Sequence, residues 1–264
     1  MGALEAIDPR YTSIYERAVA VLGADDRVLS VSISGSVAAG TADEWSDLDL
    51  QIVADADAFD AFVADWPAWL VEITPTVFAR TPILPFIINA VTTDGLTLDL
   101  VVHKGEAFDF PRSSTYTVGM LSGVQFDDVG DALEYAVAEQ LRGLAGPFIS
   151  LVQRGEHLRH LTGVPHLLGL LTTVFLAELD APPPAKLWNG TFTREQLAAV
   201  EALPPVGATR DAIVDFGLGV ARLVVTRARP QLSARGIDWP EPLARAAAQR
   251  LRDGLGIDAG DWLR

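Results

Sequence analysis

Residues 33–50 of the chain have the sequence ISGSVAAGTADEWSDLDL. A glycine–serine pair, Gly35 and Ser36, ends an apolar run, a loop of small residues follows, and Asp47 and Asp49 then enter a second apolar run. Residues i and i+2 of a strand point to the same face, so the two carboxylates project together while Leu48 points into the core. Because neighbouring carboxylates repel each other and resist burial, the pair requires a compensating positive charge.

A divalent cation is the natural partner for two converging carboxylates, since Mg²⁺ prefers oxygen ligands and completes its shell with phosphate and water. Gly35 lets the backbone approach a ligand because it lacks a Cβ, and the Ser36 hydroxyl can donate to a phosphate oxygen. A third carboxylate, Asp99, lies in the apolar stretch LTLDLVV, residues 96–102. If its strand lies beside that of Asp49, the three carboxylates can hold one or two Mg²⁺ ions, and one can accept a proton from an attacking hydroxyl.

The composition of the 264 residues is globular, with 49% hydrophobic residues and no cysteine. The absence of cysteine excludes disulfides, zinc–thiolate sites and a cysteine nucleophile, and it fits a reducing compartment. The N-terminal residues lack the pattern of a signal peptide, and no window reaches the ~20 apolar residues of a membrane span. We therefore expect a soluble, cytoplasmic protein with no membrane partner.

The net charge of −15 is unevenly distributed along the chain. Residues 1–128 hold 20 acidic and 6 basic residues, a net −14, whereas residues 129–264 hold 15 and 14, a net −1. An acidic chain repels nucleic acid phosphates, so we expect no nucleic acid partner. The acidic first half suits cationic partners such as metal ions or a polyamine-like ligand, although solubility alone would also account for it.

Periodicity separates the chain into two parts. The first part contains both helical and strand patterns. Helices are predicted over 11–23 and over 58–70, the latter broken at Pro67. Strands are predicted over 27–35, 47–55 and 70–79, and a hairpin that turns at Asp94-Gly95 over 86–103. This pattern predicts an α/β domain with at least one antiparallel pair. From about residue 131 the apolar spacing is helical throughout, and Thr193 with Gln196 predicts a capping box. We place the domain boundary between residues 128 and 129, giving domains 1–128 and 129–264.

The Gly35-Ser36 pair, ten intervening residues and the Asp47-Leu48-Asp49 triplet together resemble the Gly-Ser…Asp-x-Asp signature of the DNA polymerase β-type nucleotidyltransferase superfamily. Asp99 resembles the third carboxylate of that superfamily. The two-part organisation is similar to the antibiotic nucleotidyltransferases of the aminoglycoside and lincosamide types. The resemblance implies an α/β (α+β) nucleotidyltransferase domain with a mixed, largely antiparallel sheet, followed by an all-α helical-bundle domain.

The resemblance also implies roles for the site residues. Asp47 and Asp49 would hold Mg²⁺ bound to ATP or another nucleoside triphosphate, and Gly35 and Ser36 would hold the β- and γ-phosphates. Asp99 would be a metal ligand, a general base, or both in turn. The acceptor hydroxyl would attack the α-phosphorus, and pyrophosphate would leave.

Several residues have two interpretations. Lys186, after the APPP loop, could reach the triphosphate as a cofactor-binding residue or could be a surface lysine. Some antibiotic-modifying relatives use a glutamate as base, for which Glu134 and Glu139 are the candidates. His157 and His160 share a helix face without a matching carboxylate, so no metal site is predicted there.

The sequence therefore predicts an Mg²⁺-dependent enzyme that transfers a nucleoside monophosphate to a hydroxyl of a small molecule. The favoured prediction for the transferred group is AMP, with ATP as the donor. The acidic first half favours a cationic acceptor such as an aminoglycoside, and the resemblance to antibiotic nucleotidyltransferases implies a role in antibiotic resistance. The alternatives are a transferase that adenylylates a protein and a regulatory protein that binds nucleotide without catalysis. A monomer and a homodimer are both compatible with the sequence.

Overall fold

A computed structural model describes residues 4, 7–81, 84–106, 126–181 and 188–263 of the chain. The chain divides into two compact units, residues 1–118 and 119–264. The boundary that the sequence places between residues 128 and 129 stays a prediction.

Unit 1 is built on a mixed sheet of five strands. Its elements in chain order are α1 (Pro9–Leu22), β1 (Val28–Ile33), α2 (Gly35–Ala38), β2 (Leu48–Ala54), α3 (Phe59–Ala64), α4 (Trp66–Ile73), β3 (Thr76–Arg80), β4 (Ile87–Thr92) and β5 (Thr97–Lys104). The strand order is β1-β2-β5-β4-β3, with β2 and β5 parallel and the other three pairs antiparallel. The predicted mixed, largely antiparallel sheet is thus confirmed, as is the hairpin of β4 and β5.

The alternation of side chains decides which face of this sheet is apolar. Leu48 and Leu50 of β2 and Leu98 and Leu100 of β5 are at most 1% exposed. They belong to one hydrophobic core that includes residues of α1, α3 and α4. Because strand side chains alternate, the residue between each leucine pair points to the opposite face of the sheet. Those residues are the two aspartates of the predicted site.

The predicted strand over residues 70–79 is wrong in its first half. Residues 66–73 form the helix α4, and only Thr76–Arg80 is a strand. The predicted interruption of the helix near Pro67 is confirmed: α3 ends at Ala64 and α4 begins at Trp66, with Pro67 in its first turn, where the missing N–H costs no hydrogen bond. The Trp69 ring stacks on Phe62 of α3 at a centroid distance of 5.5 Å, which helps to hold the two short helices together.

The described residues of unit 2 form helices joined by loops, with no strand among them. Its helices are α5 (Val129–Ala145), α6 (Pro147–Gln153), α7 (His157–Leu179), α8 (Trp188–Thr191), α9 (Arg194–Glu201), α10 (Arg210–Ala234), α11 (Glu241–Leu255) and α12 (Gly260–Leu263). The predicted capping box is confirmed: the Gln196 amide donates to Thr193 Oγ1, and the Thr193 amide donates to Gln196 Oε1. The described residues of the second part are therefore all-α, as predicted.

The helix α7 is long and apolar enough, by length and composition alone, to cross a membrane. Among the described helices it is the one that passes this test, with a mean hydropathy of 1.4 over its most apolar window. It also contributes eight buried residues to unit 2, including Val174 and Phe175. Core helices of water-soluble bundles have the same composition, because they too are apolar on most sides.

Candidate metal centre

The structure brings Asp47, Asp49 and Asp99 together. Asp49 and Asp99 are direct register partners on the parallel strands β2 and β5, and Asp47 lies just before β2. One carboxylate oxygen of each residue lies within 4.8 Å of the others. Within the described ranges, this is the one group of three or more ligating side chains close enough to share an ion. All three residues are half-buried.

A hydrogen-bonded turn leads the chain into this cluster. The Ser46 hydroxyl donates to Asp43 Oδ1 at 3.0 Å, and the Trp45 amide donates to the same oxygen at 3.1 Å. Ser46 is 4% exposed, so the turn is packed as well as hydrogen-bonded. This turn fixes the direction in which the chain enters β2 and hence the position of Asp47.

The pKa of Asp49 reflects how unfavourable it is to bring three carboxylates together. The pKa of Asp49 is raised from 3.8 to about 7, first because burial disfavours its charged form, and second because of the negative charges of Asp47 and Asp99. A hydrogen bond from the Ser36 amide acts in the opposite direction. A cation bound among the three would offset this repulsion.

Gly35 and Ser36 lie directly against this carboxylate. Gly35 has a φ of +59°, and a Cβ built on it would overlap the Asp49 carboxylate, coming within 2.9 Å of even its Cβ atom. The hydroxyl oxygen of Ser36 is buried and has no hydrogen-bond partner among the described residues. A buried hydroxyl without a partner is costly, so a ligand oxygen at this position would satisfy it.

Asn89 is a site residue that the sequence reasoning missed. Its Nδ2 donates to Asp99 Oδ1 at 2.6 Å, and the two residues are register partners on β4 and β5. This row of register partners across the sheet continues to β3, where Arg80 is the register partner of Asn89. A polar residue between Ile88 and Ala90 in an apolar strand was the signal available, of the same kind that identified Asp99.

The other candidate residues lie in the second part of the chain. Lys186 lies outside the described residues. Glu139 lies in unit 2, where its carboxylate pairs with Arg142 at 2.6 Å, and Glu134 is exposed on the same helix. His157 and His160 belong to no metal-binding group in the described part of the chain.

The donor set fits a hard divalent cation. Three carboxylates offer only oxygen ligands, and no described cysteine or histidine joins them, a composition that suits Mg²⁺ and disfavours zinc or copper. The positions of Asp49 and Asp99 are fixed by the ladder of two adjacent strands, and Asp47 follows the hydrogen-bonded turn that leads into β2. The cluster can therefore neutralise a polyphosphate through a bound cation and accept a proton from a nearby hydroxyl.

Comparison with known proteins adds little to this geometry. No protein-family model matches the chain. No curated protein matches it either. Among solved structures, the chain is similar to an aminoglycoside 6-adenyltransferase from Bacillus subtilis, at 13% sequence identity over 90% of this chain and 95% of that one, with a TM-score of 0.31. A TM-score this low does not establish a common fold, so the site is interpreted from its own residues.

Proposed function

We propose that the protein is an Mg²⁺-dependent nucleotidyltransferase that moves a nucleoside monophosphate from a nucleoside triphosphate to a hydroxyl of a small molecule. The observation that carries the proposal is the cluster of Asp47, Asp49 and Asp99, with ligating oxygens within 4.8 Å of one another on adjacent strands. Such a cluster is costly to fold, as the raised pKa of Asp49 shows, so its presence calls for a cationic ligand.

The three aspartates would hold one or two Mg²⁺ ions, which supply charge neutralisation to the triphosphate and its leaving group. Ser36 supports this proposal because its buried, unpartnered hydroxyl can donate to a phosphate oxygen. Gly35 supports it because the absence of a side chain leaves room for the Asp49 carboxylate. Lys186 remains a proposed triphosphate contact from the second part of the chain.

The reaction needs little covalent chemistry from the protein. The acceptor oxygen forms a bond to the α-phosphorus, the bond from that phosphorus to the pyrophosphate oxygen breaks, and the hydroxyl proton passes to a carboxylate. Asp99 is our candidate for that proton, since Asn89 holds its carboxylate at a fixed orientation. Positioning and electrostatic stabilisation then account for most of the rate.

The charge distribution supports a cationic acceptor. Residues 1–128, which contain the cluster, carry 20 acidic and 6 basic residues. Such a surface raises the local concentration of a polycation and accelerates its association. An aminoglycoside-like antibiotic, with several hydroxyl and ammonium groups, is therefore the acceptor class that we propose first, and ATP the donor.

The proposal is tested by incubating the protein with Mg²⁺ and ATP labelled at the α-phosphate, together with a panel of aminoglycosides and uncharged polyols. Label is expected on a drug, and Asp47→Asn and Asp49→Asn are each expected to lower the rate at least about a thousandfold. Asp57→Asn is the matched control, because Asp57 is exposed and outside the cluster.

Three other results would contradict parts of this proposal. Label on the protein itself would favour an enzyme that adenylylates proteins. Saturable ATP binding without any transfer would favour a regulatory module. Wild-type rates in both Asp47→Asn and Asp49→Asn would remove the metal assignment altogether.

A further inference from the structure

Trp45 lies two residues before Asp47, in the turn that leads the chain into the carboxylate cluster. Its amide donates to Asp43 Oδ1 at 3.1 Å, and the hydroxyl of the next residue, Ser46, donates to the same oxygen at 3.0 Å. Two residues of chain span at most about 7 Å, so the Cα atoms of Trp45 and Asp47 lie within that distance of each other. The hydrogen bonds of the turn therefore hold a tryptophan beside the candidate cation site.

The other tryptophan side chains that the structure describes each have a packing partner. Trp69 stacks on Phe62 at a centroid distance of 5.5 Å, and Trp66 packs against the hydrophobic core of unit 1. In unit 2, arginine guanidinium groups lie over the remaining two rings, at 4.2 Å from the Trp239 centroid and 5.6 Å from the Trp262 centroid. Contacts within the fold therefore account for these four rings.

Trp45 has no such contact with the residues that the structure describes. Among them, no aromatic ring or guanidinium lies on its indole, no hydrogen bond joins its indole N–H to another residue, and it is not one of the side chains that pack against the core of unit 1. It is half-buried, so part of its surface is open to solvent. A large apolar ring that is held beside a cation site and left partly uncovered is available to stack on a ligand.

We infer that Trp45 stacks on the base of the nucleoside triphosphate, an inference that rests on the proposed function. The base is joined through its ribose to the phosphate that reacts, so it lies near the cation that holds the phosphates. It is planar and aromatic, and an indole ring stacks well on such a face. Because every base has a π-face, Trp45 supplies affinity for the nucleotide rather than a choice among bases.

The acceptor is a poorer match for this ring. An ammonium group of a cationic acceptor also binds an indole face. However, an acceptor needs to bring only one hydroxyl to the α-phosphorus, whereas every donor molecule brings its base within one ribose of that atom. Binding of the acceptor to Trp45 is therefore the alternative that the experiment separates from stacking on the base.

The experiment measures the binding of two phosphate ligands to the full-length protein in Mg²⁺ by isothermal titration calorimetry. The first, α,β-methylene-ATP, carries the base and cannot release pyrophosphate, whereas inorganic tripolyphosphate has the phosphates without the base. We expect Trp45→Leu to weaken binding of the ATP analogue about tenfold, as the loss of one stacked base does, and to leave tripolyphosphate binding unchanged. Unchanged binding of the analogue would overturn the inference, and if neomycin binding were weakened instead, the ring would be assigned to the acceptor.

Two further variants separate stacking from general damage to the fold. Trp66→Leu is the matched control, because Trp66 is also half-buried in unit 1 but packs against the core. We expect it to leave binding of the ATP analogue unchanged. Trp45→Phe keeps an aromatic ring and is expected to bind the analogue within about threefold of the wild type. Equal losses in Trp45→Phe and Trp45→Leu would show that the ring does not stack on the base and would overturn the inference.

Failure of the proposed function would give a different result in the wild type. If neither the ATP analogue nor tripolyphosphate bound in Mg²⁺, the proposed nucleotidyltransferase activity would be wrong, and the role of Trp45 with it. If both ligands bound with equal affinity, the cation site would stand and the contact with the base alone would be overturned.

Discussion

Among single residues, the Gly35 backbone packs so closely against the Asp49 carboxylate that no Cβ fits between them. Gly35→Ala is expected to destabilise the protein and to abolish Mg²⁺ binding, because a Cβ there would overlap that carboxylate. The left-handed backbone conformation alone costs an alanine about 1–2 kcal/mol. The measurements are the urea midpoint and the rise in melting temperature on addition of Mg²⁺.

Gly40 provides the control for that substitution. Its φ is +68°, close to the +59° of Gly35, but a Cβ on it would meet nothing within 4 Å. Gly40→Ala therefore carries the backbone cost without the overlap. If both variants lost the same stability and both kept the Mg²⁺-induced stabilisation, the contact with Asp49 would have no role in the site.

The raised pKa of Asp49 predicts an unusual dependence of stability on pH. An acid whose pKa is higher in the folded protein binds its proton more tightly there, so stability falls as pH rises from about 4 towards about 7. The change corresponds to at most about 4 kcal/mol, and solvent screening at this half-buried position lowers it to about 2 kcal/mol. Urea unfolding at pH 5 and pH 8, with EDTA present, measures this difference.

Asp49→Asn is expected to remove that dependence and to be more stable than the wild type at pH 8 without metal. Addition of Mg²⁺ at pH 8 is expected to restore the stability of the wild type and to leave the variant unchanged. A wild-type protein as stable at pH 8 as at pH 5 in EDTA would contradict the electrostatic account of the cluster.

At the scale of elements, β4 contributes to the site through Asn89, whose side chain orients Asp99. Asn89→Ala is expected to weaken Mg²⁺ binding about tenfold, the usual effect of losing a hydrogen bond to a ligating carboxylate. Titration calorimetry with Mg²⁺ provides the measurement. Gln51→Ala is the control, because Gln51 lies two residues from Asp49 on β2 and therefore on the same face of the sheet. If both variants weakened Mg²⁺ binding equally, Asn89 would have no positioning role.

The sequence predicts most of the strands, because alternation over 47–55 and 96–102 is a local signal. It does not predict that β2 and β5 are parallel neighbours, since pairing depends on contacts between residues far apart in the chain. The approach of Asp99 to Asp49 is accordingly a conditional prediction from the sequence. Asn89 stands out locally as a polar residue in an apolar strand, but its role depends on its register partner Asp99, which no local pattern contains.

The error over residues 70–79 has a different origin. Val71, Ile73 and Thr74 are β-branched and favour a strand locally, but Trp69, Leu70 and Ile73 are all buried against the core of unit 1. Burial at a spacing of three and four residues is satisfied by a helix, and tertiary packing overrides the local preference. The strand begins only after Pro75.

At the scale of the whole molecule, each compact unit has its own buried residues. We expect a fragment of residues 119–264 to fold alone, because α5, α7, α10 and α11 bury residues such as Leu133, Val174, Val224 and Leu251 within that unit. Far-UV circular dichroism and cooperative urea unfolding are the measurements. A fragment that lacks cooperative unfolding would mean that the helical unit depends on unit 1 for its stability.

The parallel pairing of β2 and β5 determines where insertions in the chain can be tolerated. The spacing between Asp49 and Asp99 is set by backbone hydrogen bonds between adjacent strands, not by the length of the chain that connects them. Insertions at the turn between β4 and β5, where Thr93 and Asp94 are exposed, can therefore reshape the surroundings of Asp49 and Asp99 without moving them. A single residue inserted into β5 ahead of Asp99 would instead shift the register by one and turn Asp99 into the core. Insertions at the turn would thus change what surrounds the carboxylate cluster while the two aspartates keep their spacing.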